Sequence, residues 1–274
     1  MIITQPTVEP ITLTALKVQL GISDTNSDTV LTRRITEARK WAEIYTKRSI
    51  MPQTHELRLD AFPSDGMIEL PFPQVVSIVS VKYIATDGAL TTVDAADYTL
   101  DTVPLVPFVR PVYGESWPSP RGEASAVRVQ YTTGYTVSSI AAAKTITGIT
   151  KATPGVVTSA AHGYADGDLI LLDIAGMTEL DGLLYRVYAK TTDTFQLAKL
   201  SNDGGISTAS FTTFTSGTAT AVEVAVPEII IEAMAVLCGH WTNFQSRLEG
   251  GQFITRVPAA VEQMLDTERV WGVI

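Results

Sequence analysis

Residues 75–93 read VVSIVSVKYIATDGALTTV. Two runs rich in Val, Ile and Thr flank Asp87-Gly88, a dipeptide that signals a hairpin because glycine takes a positive φ without a Cβ clash. The stretch predicts two antiparallel strands and places the middle of the chain in a β class.

Outward from this hairpin the same texture continues. THELRLD (54–60) and MIELP (67–71) precede it, while DYTLD (97–101), PFVRP (107–111) and AVRVQYTTGY (126–135) follow. Pro63-Ser64-Asp65-Gly66 and Pro118-Ser119-Pro120-Arg121-Gly122 separate the runs with residues that set turn geometry. A second β block, from about Lys144 to Val222, is richer in Thr, Ser, Ala and Gly. Its short runs are broken at Asp166-Gly167, Asp181-Gly182 and Asp203-Gly204-Gly205, which predicts six or so strands in a small barrel or sandwich.

Helical spacing is confined to the two ends. Thr14 is the expected cap of a short helix, Ala15 to Leu20, closed by Gly21. Asp28 or Thr29 begins a second, to about Arg48, whose Leu31, Ile35, Ala38, Ala42 and Tyr45 form one apolar stripe. Pro227 opens a third, with Ile230, Ala233, Met234, Leu237, Cys238, Trp241 and Phe244 on a wide apolar face. Gly250-Gly251 is a break, and Pro258 restarts a short helix to about Leu265. The fold class predicted is α+β: N- and C-terminal helices form a helical body with an antiparallel β region, and an all-β domain is inserted.

A formal charge of -9 with a pI near 4.8 argues against a protein that grips nucleic acid by neutralising phosphates. The single cysteine, Cys238, excludes an intramolecular disulfide. The sequence has no signal-peptide pattern and no apolar run of spanning length, so no membrane is expected.

Few residues suggest chemistry. His162, Asp166 and Asp168 could be drawn as a metal or acid/base cluster, but Asp-Gly turns explain the pattern, with the histidine on a loop where His162→Ala would cost little. Cys238 and His240 lie two apart on a helix and point to different sides, so Cys238 reads as a buried structural thiol. His55 has no partner in sequence. Arg33, Arg34, Arg39, Lys40, Lys47 and Arg48 could start a DNA-contacting stripe, yet Glu37 and Glu43 interrupt them and i,i+4 ion pairs account for them. GESWPSPRG lacks the order and the lysine of a phosphate loop. In the tail, Arg269, Val270, Trp271, Val273 and Ile274 form an apolar terminus of the kind that marks a partner-binding site. No catalytic residue, cofactor or metal site is expected.

The order of these elements resembles the head-tail connector, or head-completion, proteins of tailed bacteriophages. The likeness rests on TLTALKVQL (12–20), AEIYTKRSI (42–50), QTHELRLDAFP (53–63), LPFPQVVSIVSVKYI (70–84) and DGALTTVDAADYTLD (87–101). It continues through YGESWPSPRGEASAVRVQYTTGY (113–135), VPEIIIEAMAVLCGHWTNFQ (226–245) and VPAAVEQML (257–265). In that family YTTGY is soon followed by the VPE helix, whereas about 80 residues intervene here. The resemblance thus implies a discontinuous body, 1–143 with 223–274, and an inserted domain, 144–222. The insertion is itself similar to small β modules of phage structural proteins, through residues 156–182 and 185–197.

What the resemblance implies is a non-enzymatic structural protein of the virion neck, assembled in the bacterial host cytoplasm. It would form a homo-oligomeric ring, dodecameric like the portal, that docks under the portal protein, extends the DNA channel, and offers a surface to a tail or stopper protein. The DNA would make only passing contact. Two rivals remain at this stage: an accessory protein binding a receptor or carbohydrate through the inserted domain, and a hydrolase using Asp166 and Asp168.

Overall fold

The computed structural model describes residues 1–199, 204–245 and 257–270. Four α-helices and sixteen strands are described: β1 (Ile2–Thr4), α1 (Leu13–Leu20), α2 (Asp28–Thr46), β2 (Gln53–Leu59), β3 (Ile68–Glu69), β4 (Val75–Ile84), β5 (Leu90–Thr92), β6 (Tyr98–Asp101), β7 (Phe108–Pro111), β8 (Val127–Thr133) and β9 (Val137–Ser139). Then come β10 (Lys144–Ile146), β11 (Gly148–Ile149), β12 (Val156–Thr158), β13 (Leu169–Ala175), β14 (Leu184–Tyr188), β15 (Thr194–Ala198), β16 (Ser216–Val224), α3 (Glu228–Gln245) and α4 (Ala259–Asp266). All described pairings are antiparallel, so the class is α+β. The chain divides into two compact units, 1–5 with 43–136 and 266–274, and 6–42 with 137–265.

The first unit contains a five-stranded sheet in the order β1-β2-β8-β4-β5 and a three-stranded sheet in the order β3-β7-β6. The opening hairpin forms as its sequence predicts: β4 pairs β5 from Lys82↔Thr92 to Ile84↔Leu90, Gly88 takes φ +90, and the Asp87 carboxylate accepts the Ala89 amide. On β8 burial alternates strictly, so Val127, Val129 and Tyr131 enter a core with Ile68, Leu70, Val81 and Val109. Gly134, just beyond, has φ +123, and a Cβ there would come within 2.7 Å of the Met51 carbonyl oxygen. Only glycine lets the two backbones approach so closely.

In the second unit α1 is capped by Thr12, whose hydroxyl accepts the Ala15 amide, two residues before the expected Thr14. Gly21 closes the helix in the left-handed conformation, as expected. On α2 the stripe Leu31, Ile35, Ala38 and Ala42 is buried, and the helix ends at Thr46 rather than Arg48 because Lys47 turns to φ 59. On α3, Ile230, Ala233, Met234, Leu237 and Cys238 are buried, Trp241 is half-buried, and the Phe244 side chain lies outside what is described. Glu9 is wholly buried, and its carboxylate takes the Arg39 Nε–H at 2.7 Å and the Thr36 hydroxyl at 2.9 Å. A carboxylate shut away from water persists only with such partners.

The same unit holds a sheet in the order β10-β16-β13-β14-β15-β12-β11, with β9 also on β16. Its first and last members, β10 and β11, are separated in the chain by Thr147 alone. Ile170, Leu172, Tyr185, Val187, Phe195 and Leu197 fill its core, from alternate positions of three strands. The predicted turn glycines Gly167 and Gly182 both have positive φ.

Removing Leu237 to Ala leaves a cavity in α3's packing and should lower unfolding free energy by about 2–5 kcal/mol. Trp241→Ala, at a half-buried site, should cost less. Urea denaturation checks both, and a loss below about 0.5 kcal/mol at Leu237, the level of surface changes, would mean α3 faces otherwise.

Candidate functional site

The acidic residues in the loops of the β module bind backbone amides. The Asp168 carboxylate accepts the Ala165 amide at 2.8 Å, Asp166 the Lys190 amide at 2.9 Å, and Asp193 the Ala161 amide at 2.9 Å. Asp168 thus closes its own turn, whereas Asp166 and Asp193 each accept an amide of a loop distant in sequence and so tie separate loops together. Among the described residues no group of three or more His, Cys, Asp or Glu is placed to hold a metal ion.

His162 is not the exposed loop residue its Gly-rich surroundings suggest. It is buried, its Nδ1 accepts the Tyr164 amide at 3.0 Å, and its ring lies 5.1 Å from both Tyr164 and Phe195. The ring is part of the module's core, so His162→Ala will cost about 1–3 kcal/mol rather than little. Cys238 is buried, and burial, with Glu9 and Glu37 adding and Arg34 opposing, pushes its thiol up to about 12. A thiol held protonated is a packing group, not a nucleophile.

A serine–histidine contact does exist, where the sequence assigned His55 no partner. Ser49 Oγ lies 3.1 Å from His55 Nε2 and receives the Thr133 hydroxyl at 2.7 Å. All three residues are buried, and the His55 ring stacks on Phe72 and Tyr131 at 4.9 and 5.7 Å. The geometry of nucleophile and base is present, but it is closed to a substrate. Burial, with the Met1 amino group adding, lowers His55 to about 4, so the imidazole is neutral at ordinary pH.

Four of the six basic residues of 33–48, the arginines, are engaged by their own chain, while Lys40 is exposed. Arg33 and Arg34 pair with Glu37, at i,i+4 and i,i+3, and Arg34 also lies over the Trp241 ring at 5.6 Å. Arg39 is the buried partner of Glu9, and Arg48 Nε donates to the Glu268 carbonyl at 2.6 Å. The four arginines are thus tied to their own chain.

At the C-terminus Val270 is buried, its amide donates to the Thr46 carbonyl, and Arg269 lies 4.9 Å from the Tyr45 ring centre. Trp271, Val273 and Ile274, with Gly250 and Gly251, lie outside the described residues. A concave surface of the first unit, a cleft of about 560 Å³, is lined by Phe62, Asp65, Arg110, Trp117 and flanking prolines. GESWPSPRG forms part of its wall, with Phe62 stacked on Trp117 at 4.8 Å and the indole N–H bound to the Gly66 carbonyl. The cleft is wide and open to solvent. Among the described residues no helix is long and apolar enough to cross a membrane.

The pH response of His55 follows from its shift. A base whose folded pKa lies below its unfolded value contributes stability that is complete above about 6.5 and lost as pH falls toward 4. The loss should reach roughly 3 kcal/mol. Denaturation between pH 7 and 4 should show that slope in the native protein and a smaller one in His55→Gln; equal slopes would contradict the burial of a neutral imidazole.

Residues 10–97 match the family model described as phage gp6-like head-tail connector protein. No curated protein matches the chain. Among solved structures, a chain of the neck of the empty GTA particle computed with C6 symmetry is similar at TM-score 0.55 and 13% identity, covering 100% of this chain and 97% of that one. A chain of the virion of the native gene transfer agent (GTA) particle gives TM-score 0.55 at 14% identity, with 100% and 96% covered. The neck of the native GTA particle computed with C12 symmetry gives 0.51 at 15%, with 100% and 97% covered. At these identities the likeness is one of fold. Through residues 10–97 the chain is thus similar to the phage gp6-like head-tail connector proteins, the family that its sequence resembles.

Proposed function

We propose that the protein is a structural subunit of the virion neck, a head-tail connector that assembles as a ring beneath the portal. The observation that carries this reading is the connector match over residues 10–97, a segment that includes α1, α2 and strands β2 to β5. The end-to-end fold likeness to neck chains solved with C6 and C12 symmetry supports it. A dodecamer fits the twelvefold case. The ring would continue the DNA channel and present its far side to a tail or stopper protein. Its net charge of -9 suits a duct through which DNA slides without being held. Assembly would take place in the bacterial host cytoplasm.

The domain boundaries belong to the same proposal. The body is 1–143 with 223–274, and 144–222 is an inserted module, a small barrel closed where β10 runs through Thr147 into β11. In support, β9 pairs β16 from Ser139↔Val222 to Val137↔Val224, so the two ends of the insertion lie side by side. The tail is proposed as the partner-binding element, with Arg269 and Val270 as its anchor and Trp271, Val273 and Ile274 as its contacts. One such tail binds weakly, since ordering opposes the gain from burial, but a ring presents many at once.

Native mass spectrometry of the purified protein should give a closed ring, and the ring should co-sediment with portal-bearing, DNA-filled heads. Deleting 271–274, which leaves the buried Val270 and its bond to Thr46 in place, should abolish head binding with little change in subunit stability. A monomer that ignores heads would overturn the connector reading. Head binding that survives the deletion, or unfolding caused by it, would withdraw the tail's role alone.

A further inference from the structure

Arg186, on β14, donates from Nη2 to the Glu9 carbonyl at 3.0 Å and from Nη1 to the Gly167 carbonyl at 3.0 Å. Two residues earlier on the same strand, the Leu184 carbonyl accepts the Thr7 hydroxyl. Residues 7–9 are therefore held against β14, a strand 177 positions away. The Glu9 carboxylate is in turn bound by Arg39 and Thr36 of α2. A continuous hydrogen-bonded path thus leads from β14 through residues 7–9 to α2, with its central carboxylate wholly buried.

A second attachment is independent of the first. β16 enters the module's sheet directly from its pairing with β9, and Pro227 and α3 follow it. In the sheet β14 and β16 are separated by β13. A module tethered by its two ends alone could pivot about them. One that is also fixed at a non-adjacent strand cannot pivot without breaking the Arg186 and Thr7 contacts. Burial disfavours the charged form of Arg186, so its head gains from keeping the two carbonyls that it has.

We infer that the module of residues 144–222 is locked to α2 by Arg186 and Thr7 acting through residues 7–9, and that it serves as a fixed part of the connector wall, not as a tethered binding arm. The second half of that statement rests on the connector reading; the lock does not. Arg186 and Thr7 are positioning residues.

The test measures the spread of a distance. Spin labels are placed at Lys40→Cys on α2 and Lys190→Cys in the module, both exposed in the native chain, with buried Cys238 left in place and labelled subunits diluted in unlabelled protein. Electron–electron resonance should give one narrow distribution in the otherwise native chain. Its width should at least double when Arg186→Leu and Thr7→Val are added. A broad native distribution, or one that the two substitutions leave unchanged, would overturn the lock. Should the double substitution fail to fold, Thr7→Val alone must broaden the distribution, and an unchanged width there would also overturn it. Native mass spectrometry of the same samples separates the two ideas: a narrow distribution in a protein that forms no ring would keep the lock and remove the connector.

Discussion

A carboxylate with no access to water organises the second unit. Glu9 belongs to a segment without regular structure, and its oxygens are matched by Arg39 and Thr36. An unpaired charge in that position would cost several kcal/mol, so the segment has one acceptable path across α2. That path brings the Glu9 carbonyl to Arg186 and the Thr7 hydroxyl to the Leu184 carbonyl. The burial of a single charge thereby fixes where a strand far along the chain must lie. The ion pair need not add net stability to do this; its contribution is to make one arrangement much better than its neighbours.

The functional picture follows from what the polar groups are used for. In the candidate acidic loops Asp166 and Asp168 accept backbone amides, and Arg33, Arg34, Arg39 and Arg48 are taken up by Glu37, Glu9 and the Glu268 carbonyl. The cysteine and the Ser49–His55 contact are sealed in cores. Among the described residues these groups serve the chain's own framework, and residues 10–97 match the head-tail connector family model.

How much the sequence could tell depended on how local the cause was. The Asp87-Gly88 hairpin, the alternation on β8 and the 3.6-residue stripe of α2 are set by neighbours within a few positions, and the structure has them, save that Tyr45 at the end of the stripe is only half-buried. The first cap was misplaced by two residues because Thr12 and Thr14 are both suitable, and only the hydrogen bond to Ala15 decides between them. β1 and β9 are three-residue strands that exist through pairing with β2 and β16, so they have no periodicity of their own to detect. The burial of His162, the Ser49–His55 contact and the Glu9–Arg39 pair come from packing between separate segments, and residue spacing carries no trace of them.

The central claim is that this chain forms a ring in the neck of a virion. Cryo-electron microscopy of the intact particles that contain it tests this most directly. The account predicts symmetric density between portal and tail into which α3, the five-stranded sheet and the β module can be traced for this sequence. Traceable density for this chain elsewhere in the particle, or purified particles that lack the chain altogether, would contradict it.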